Sequence, residues 1–386
     1  MASTTYTDFN APAVNAAWLN DVNTATYTTV PAHTTSITNI VSGAQVVGAS
    51  TNIAAGTAGS LPYQTAAGTT AMLAAGTAGQ VQYTSGTAPA YATLNPSDNP
   101  IINGEMLVDQ VNAGAAITVA ITTPTYLVDM FYGFTAGATV QAQQVAGAGE
   151  FQKALQFTGA ASVTGITCGH RIESKNAARF TNQTVNCNLR MSNSLLTAVT
   201  WNAYYANVAD TFSAKTLIAT GALTINATDT DYSFSFAAGA NAGNGIAIEF
   251  VVGAQTSGTW KLTGLDMFTG AIARSYPHLT YGQELARCQR YLKYTGGTGV
   301  VGDVYLSGYA GGAAGQATSL IQYPVEMRVA PTLTKNGTWT VINCGQPTAI
   351  QSSKYGFTLL IAATVAGALS TSTANAACSV LSDARL

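Results

Sequence analysis

A stretch of 76 residues without a charged side chain constrains this sequence most. Residues 22–97 contain no Asp, Glu, Lys or Arg, and 46 of the 76 are Ala, Gly, Thr or Ser. This composition supplies too little apolar surface to offset the conformational entropy that a separate globule loses on folding. Such a stretch is therefore either covered by neighbouring chains or left as an extended connection.

The same stretch contains a repeat with a period of twenty residues. The hexapeptide at 54–59 recurs at 74–79, and Tyr63 recurs as Tyr83. Stacked repeats need neighbours to cover their apolar positions, and here the neighbours could be the same segment of other chains. A flexible linker rich in small residues is the alternative. An intertwined shaft is favoured by regularly placed apolar residues, namely Leu61, Tyr63, Met72, Leu73, Val81 and Tyr83.

The N-terminal residues predict a short amphipathic helix. Pro12 stands where the helix would begin, a position at which its missing N–H costs little. Val14, Trp18 and Val22 follow at a spacing of four residues, which places them in one stripe. A helix this short is marginal in water, so the Trp18 side chain must dock on something. Docking on the chain's own shaft and attachment to a larger assembly are both open, and Val14, Trp18, Leu19 and Val22 are the candidate attachment residues.

From about residue 98 the sequence changes to short runs in which apolar and small polar residues alternate. Turn-forming segments separate the runs, as at 226–231 and 238–245. Many short strands at regular spacing predict a β-sandwich or jelly roll over residues 98–275. The predicted strands are 115–122, 155–157, 185–191, 197–205, 217–219, 223–225, 232–236, 246–252 and 260–265.

Residues 276–294 interrupt this pattern with a predicted helical connector. Leu285, Cys288 and Leu292 share one helical stripe, and Glu284 can pair with Arg287 across one turn. A glycine-rich hinge follows the helix. The alternating pattern then resumes at 301–306, 320–323, 339–342, 357–362 and 378–381. Residues 295–386 are therefore predicted to form a second, smaller β domain.

Composition and charge exclude several classes of function. Charged residues make up 8% of the chain, its formal net charge is −2, and residues 1–152 and 153–386 carry −7 and +5. Neither half is basic enough to indicate a nucleic-acid surface. No apolar run of about 18 residues indicates a transmembrane helix. The five widely spaced cysteines indicate buried free thiols, with Cys168 and Cys187 as the one pair to be checked.

The residue types needed for catalysis and metal binding are scarce. His33, His170 and His278 lie far apart, and the sequence has neither a nucleophile motif nor a phosphate-binding glycine motif. Residues 226–231 alternate oxygen ligands but lack the glycine and final glutamate of an EF-hand loop, so we interpret them as a turn. Seventeen acidic residues, mostly isolated, are a poor supply for paired-carboxylate catalysis. We expect no metal, no cofactor and no enzymatic activity.

Aromatic side chains are the remaining candidates for a binding site, because saccharides bind through aromatic faces and a few hydrogen bonds. In the last domain, Tyr305, Tyr309, Trp339 and Tyr355 are the candidate receptor-binding residues. Tyr309 is set among glycines and other small residues, which leaves it no neighbours to pack under. Any of these rings could instead lie in a β core. The same alternative holds for Tyr323, Trp201, Tyr204, Tyr205 and Trp260.

Four segments resemble bacteriophage tail-fibre proteins. Residues 10–23, NAPAVNAAWLNDVN, resemble the N-terminal attachment segment of such fibres, and residues 61–71, LPYQTAAGTTA, resemble their shaft repeats. Residues 281–291, YGQELARCQRY, are similar to a segment that ends the jelly-roll domain and leads into a C-terminal tip. Residues 99–104, NPIING, look like the opening of that jelly roll. Arg287 departs from the pattern, since such fibres commonly have a small or apolar residue there, and no catalytic motif is carried over.

The resemblance implies a homotrimer with its N-terminus on the virion and its C-terminus facing the host. Its parts would be an attachment segment (1–30), a trimeric shaft (31–97), a jelly roll (98–275), a connector (276–294) and a β tip (295–386). Implied partners are phage tail, adaptor or nozzle proteins at the N-terminus and bacterial surface polysaccharide or lipopolysaccharide at the C-terminus. Assembly in the host cytoplasm agrees with unpaired thiols and with an N-terminus that lacks a signal-peptide pattern.

We therefore expect a mainly β, trimeric, non-enzymatic tail fibre of the virion that recognises a host saccharide. One alternative is a structural head fibre or decoration protein of the virion. Another is a tailspike that cleaves host polysaccharide.

Overall fold

The computed structural model describes Asn20 and residues 57–76, 80–84, 88–93, 99–195, 198–270, 275–297, 303–375 and 377–386. The candidate attachment residues Val14, Trp18, Leu19 and Val22 lie outside the described residues, as does His33. The chain divides into two units, residues 1–94 and 95–386. Their described parts consist mainly of antiparallel strands, which confirms the predicted mainly β class.

Two short hairpins form the described part of the first unit. β1 (Leu61–Ala66) pairs with β2 (Thr69–Leu73), and β3 (Gln80–Thr84) pairs with β4 (Pro89–Thr93). The two hairpins begin at nearly the same point of the twenty-residue repeat. Gly68 makes the first turn with a φ of +74°, a conformation that glycine adopts without strain. Most residues of β1 are exposed, and an isolated two-stranded hairpin is only marginally stable in water.

The second unit begins with a β-sandwich, as the alternating sequence pattern predicted. Its strands are β5 (Ile117–Val119), β6 (Thr125–Tyr126), β7 (Phe131–Ala136), β8 (Val140–Ala146), β9 (Lys153–Thr158), β10 (Gly165–Ile172), β11 (Thr184–Asn193), β12 (Val199–Val208), β13 (Thr211–Leu223), β14 (Thr230–Ala237), β15 (Ile246–Val252) and β16 (Thr259–Thr269). Sheet I has the order β13-β12-β15-β10-β7-β6, and sheet II has the order β14-β11-β16-β9-β8-β5. The chain crosses repeatedly between the two sheets, as in a jelly roll.

Alternate residues of facing strands fill the space between sheets I and II. In β15, Ile246, Ile248, Phe250 and Val252 belong to the core, while Glu249 between them accepts a hydrogen bond from the Tyr132 hydroxyl at 2.6 Å. Sequence reasoning did not find β7, β8 and β10. In β10 nearly every residue is buried, so the strand shows no polar alternation.

All five cysteines are buried and free, which confirms the prediction of unpaired thiols. Cys168 belongs to β10 of sheet I, and Cys187 belongs to β11 of sheet II. Both side chains lie in the sandwich core, where burial raises the pKa of each thiol. These thiols are therefore protonated packing groups.

The predicted helix is present as α2 (Tyr281–Gln289), and a short helix, α1 (Ser174–Ala177), precedes it in the sandwich. Helix α2 is shorter than predicted, because Leu292, which the sequence placed on the helical stripe, begins a β-strand. Thr280 and Gln283 form a capping box that begins α2. The Thr280 hydroxyl accepts the Gln283 backbone N–H, and the Gln283 side chain accepts the Thr280 backbone N–H. The predicted Glu284–Arg287 pair is also present, with 3.3 Å between Arg287 Nη1 and Glu284 Oε2.

Helix α2 is bound to the sandwich through buried polar contacts. Glu284 is 5% exposed, and its Oε1 accepts the backbone N–H of Asn103 at 2.6 Å. The Arg287 guanidinium donates to the carbonyl oxygens of Asn99 and Ile101. Arg287 therefore holds the first turn of the jelly roll against the helix, a role that a small or apolar residue at this position does not supply.

Three three-stranded sheets form the C-terminal lobe. Its strands are β17 (Leu292–Gly296), β18 (Tyr305–Ala310), β19 (Gln316–Gln322), β20 (Thr332–Asn336), β21 (Thr340–Ile342), β22 (Thr348–Ile350), β23 (Gly356–Ala362), β24 (Gly367–Ser372) and β25 (Ser379–Asp383). Sheet III has the order β17-β25-β20, sheet IV has β18-β24-β21 and sheet V has β19-β23-β22. Trp339, Phe357, Leu359 and Val380 lie in the core that these sheets enclose.

The last residues of the chain contact the sandwich. The Tyr126 hydroxyl donates to the carbonyl oxygen of Leu386 at 2.7 Å, and the Arg385 guanidinium lies 3.7 Å from the centre of the Tyr126 ring. These contacts join the C-terminal lobe to β6 of sheet I. None of the helices among the described residues combines the length and apolarity needed to cross a bilayer.

Candidate functional site

Two tyrosines project from one face of sheet IV. Tyr305 and Tyr309 lie four positions apart in β18 and are 60% and 77% exposed. Residues an even number of positions apart point to the same side of a strand, so both rings lie on the outer face of the sheet. At roughly 3.3 Å per residue the two positions are about 13 Å apart. Leu306 and Ala310, on the opposite side, are buried in the core of the lobe.

Uncharged residues, most of them small, form the surface between the two rings. Tyr305 stands opposite Ser372 of β24, and Tyr309 stands opposite Ala368. Between them, Ser307, Ser370 and Ile342 form one row across the sheet. No charged residue occurs in β18, β21 or β24. We call this surface the tyrosine face; it comprises Tyr305, Ser307, Tyr309, Ile342, Ala368, Ser370 and Ser372.

A glycine allows β18 to approach its neighbour closely. Gly308 lies on the inner side of β18, where a Cβ atom would stand 2.5 Å from the Cβ of Ala317 in β19. A larger residue would push the two strands apart. Gly308, which precedes Tyr309, thus serves packing on the inner side of the strand, while the Tyr309 ring is exposed on the outer side.

The structure separates the other two predicted receptor residues from the tyrosine face. Tyr355 is 67% exposed and lies in the turn before β23 of sheet V. Trp339 is 2% exposed, and its indole Nε1–H donates to the carbonyl oxygen of Asn336 at 3.0 Å. A buried indole offers no ring face to a ligand, so Trp339 is a packing residue of the lobe and not part of a binding surface.

The alternative core interpretation holds for most of the other aromatic candidates. Trp201 and Trp260 lie in the sandwich core, and Tyr323 is 9% exposed with its hydroxyl 3.0 Å from Ser382 Oγ. Burial raises the pKa of the Tyr323 phenol. Tyr204 is half-buried on sheet I, with the Lys215 ammonium 4.1 Å from its ring centre.

The turn at residues 226–231, which resembled a calcium loop in composition, has its carboxylates paired with basic residues. Asp229 lies 2.6 Å from Lys261 Nζ, and Asp231 lies 2.7 Å from Arg190 Nε. This supports the interpretation as a strand-connecting turn. Within the described residues, no cluster of three or more His, Cys, Asp or Glu side chains could hold a metal ion.

The tyrosine face can bind a neutral ligand by stacking and hydrogen bonding. Tyrosine rings pack against the apolar C–H faces of a sugar ring, while their hydroxyls and those of nearby serines can bond its hydroxyl groups. The strands that carry this face contain no charged residue, so the contacts that they offer a ligand are uncharged.

Sequence reasoning missed a concave surface on the outer face of sheet II. This cavity has a volume of about 480 Å³ and is lined by residues of β11, β14, β16 and two loops. Its lining ranges in the chain from Glu150 to Tyr276. No local motif could reveal it, because strand pairing alone brings these residues together.

No protein-family model matches the sequence, and no curated protein matches it. Solved structures with some likeness include the enzymatically active domain of tailspike protein 4 of bacteriophage CBA120 (12% identity, TM-score 0.27, 44% of this chain and 21% of that chain). Others are the family 11 carbohydrate-binding module of Clostridium thermocellum (11%, 0.28, 39% and 96%) and a cyclase from Fischerella sp. TAU (9%, 0.29, 47% and 100%). At these scores, neither ligand nor activity transfers from these proteins to this chain.

Proposed function

We propose that this protein is a non-enzymatic bacteriophage tail fibre that binds a saccharide of the bacterial surface through its C-terminal β domains. The tyrosine face is the observation that carries the proposal. It presents two exposed aromatic rings on a rigid sheet, with hydroxyls between them and no charged residue in its strands. This combination suits a neutral or weakly charged polysaccharide.

The remaining parts of the chain have supporting roles in this proposal. Residues 1–30 attach the fibre to tail, adaptor or nozzle proteins of the virion, as the resemblance of residues 10–23 implies. Residues 31–97 form a trimeric shaft. The exposed hairpins at 61–73 and 80–93 support this role, because isolated hairpins of this kind need further cover. The fibre is made in the host cytoplasm, assembles onto the virion tail and uses no cofactor.

Binding at one tyrosine face is expected to be weak. An aromatic contact contributes roughly 0.5–1.5 kcal/mol beyond the area that it buries. A trimer presents three copies of the face, and several fibres on one virion multiply the contacts. Avidity can then exceed the single-site affinity by about two to four orders of magnitude without any new contact.

The mass of the intact chain in solution tests the assembly. Light scattering should give about three times the 39.5 kDa of one chain. A monomer would contradict the shaft and, with it, the fibre assignment.

A double variant tests the binding face. Tyr305→Ala with Tyr309→Ala should lower binding to an array of purified bacterial surface polysaccharides by about tenfold or more, equivalent to about 1.4 kcal/mol. The matched control is Tyr281→Ala, which removes a 55%-exposed tyrosine from the start of α2 and should leave binding unchanged. Undiminished binding of the double variant would remove the tyrosine face from the proposal.

A further inference from the structure

The cavity on the outer face of sheet II is lined by side chains that the proposed function does not use. We call it the sheet II cavity. Its volume of about 480 Å³ lies within the range of roughly 300–1,000 Å³ that ligand pockets occupy. Asn188 of β11 and Asp266 of β16, which are directly paired across the sheet, form part of its floor. Ser233 of β14 lies beside them on the exposed surface.

One wall is the loop that precedes β9, and a glycine holds it against the sheet. The ring of Phe151 lies over Gly264, where a Cβ atom would stand 2.3 Å from the Phe151 Cζ. The φ of Gly264 is +64°, so both the backbone conformation and the lack of space for a Cβ atom favour glycine here. The loop is fixed further by Arg190, whose Nη1 donates to the carbonyl oxygen of Ala148 at 2.9 Å.

Tyr276 lies beside Phe151 in the same wall, and its ring meets the Phe151 ring edge to face at a centroid distance of 5.2 Å. Burial raises the pKa of the Tyr276 phenol well above its ordinary value, and the carboxylates of Glu105, Glu284 and Asp266 raise it further. The phenol is therefore protonated at any physiological pH. The lining of the cavity thus combines three aromatic residues, Phe151, Tyr232 and Tyr276, with an amide, hydroxyls and carboxylates.

The charge of the lining selects against anions. Glu150, Asp231 and Asp266 contribute carboxylates, and the described residues that line the cavity include no Lys, Arg or His. Arg190 lies beside the cavity but is held by Asp231 through two bonds of 2.7 Å. Asp266 is 1% exposed, so it lies almost wholly beneath the cavity surface. Glu150 lies 3.6 Å from His278 Nε2, beside the lining. The carboxylates of the lining still outnumber the basic groups beside it, which disfavours an anionic ligand.

We propose that the sheet II cavity is a second binding site, independent of the tyrosine face, and that it takes a neutral hexopyranose unit of a saccharide. Carboxylates accept hydrogen bonds from sugar hydroxyls and amides both accept and donate them, and Glu150, Asp231 and Asn188 supply these groups in the lining. The half-buried Tyr276 ring supplies apolar contact for the ring C–H groups, and the buried Phe151 ring supports it from the side. The jelly roll is then a binding domain in its own right and not only a spacer for the C-terminal lobe.

The test uses the full chain on an array of neutral hexose oligosaccharides and uronic-acid oligosaccharides. Wild-type protein should bind at least one neutral oligosaccharide and bind the uronic-acid set at least about tenfold more weakly. Ser233→Trp fills the cavity from an exposed position and should lower neutral-sugar binding by about tenfold or more. The matched control is Ser235→Trp, on the same face of β14 but outside the lining, which should bind within about twofold of wild type.

Thermal melting of each variant establishes that it is folded, and Asn188→Ala serves as the second cavity variant if Ser233→Trp does not fold. The inference is overturned if no neutral oligosaccharide binds, if the uronic-acid set binds best, or if folded cavity variants bind as wild type does. Binding that survives in the cavity variants but not in the Tyr305/Tyr309 double variant removes this site and leaves the proposed function intact. The reverse pattern keeps the cavity and removes the tyrosine face.

Discussion

Gln110 holds both carboxylate oxygens of Asp129, with its backbone N–H 2.9 Å from Oδ1 and its side-chain Nε2 2.5 Å from Oδ2. The same Nε2 donates to the carbonyl oxygen of Leu292, the first residue of sheet III, at 2.9 Å. Asp129 is 1% exposed. A buried carboxylate therefore lies where the sandwich meets the C-terminal lobe.

This burial predicts a pH-dependent contribution to stability. It raises the pKa of Asp129 from 3.8 to about 6, although the hydrogen bonds from Gln110 act in the opposite direction. The folded state then binds the proton more tightly than the unfolded state. The stabilisation is fully present below about pH 4 and is lost as the pH rises through 6. Two pKa units correspond to about 3 kcal/mol.

Urea unfolding of wild type and Asp129→Asn between pH 4 and pH 7 measures this contribution. The wild-type free energy of unfolding should fall relative to that of the variant as the pH rises, by up to about 3 kcal/mol. Parallel profiles for wild type and Asp129→Asn would show that Asp129 does not carry the effect.

Truncation to alanine should lower the free energy of unfolding strongly at Trp339 and hardly at all at Tyr309. Trp339→Ala removes a core indole and is expected to cost about 3–5 kcal/mol, while Tyr309→Ala removes a ring that is 77% exposed and should change stability by no more than about 0.5 kcal/mol. Chemical denaturation of both variants checks this. A small loss for Trp339→Ala would mean that the indole is not packed as described.

The contact between Gly264 and Phe151 can be isolated by comparing two glycine substitutions. Gly264→Ala and Gly239→Ala both place a side chain at positive φ, which costs about 1–2 kcal/mol. Only Gly264→Ala also forces a Cβ into a neighbour, because the space around Gly239 is open. Gly264→Ala should therefore cost about 1–3 kcal/mol more in thermal unfolding. Equal losses would contradict the close packing of Phe151 on the sheet.

Local patterns predicted several elements well. The strand predicted at 246–252 is observed as β15, and the predicted helix is observed with its Glu284–Arg287 pair. Alternation and capping depend on residues close in the sequence, so they can be read without the fold. The strand β10 was missed because it is buried on both sides. Trp339 was a candidate for a binding surface because an aromatic residue in an alternating sequence looks the same whether it faces the core or the solvent; it lies just before β21 and is buried.

The sequence by itself determined the mainly β class, the position of the short helix and the free thiols. It also indicated that Tyr309, set among small residues, is exposed to solvent. These follow from local alternation, turn residues and composition, which act over a few neighbouring positions. Only the tertiary structure decided that Tyr305 and Tyr309 share an exposed face, that Trp339 is buried, and that Glu150, Asn188 and Tyr276 line one cavity. The reason is that strand pairing over long sequence separations sets which residues meet, and that pairing depends on the packing of the whole unit.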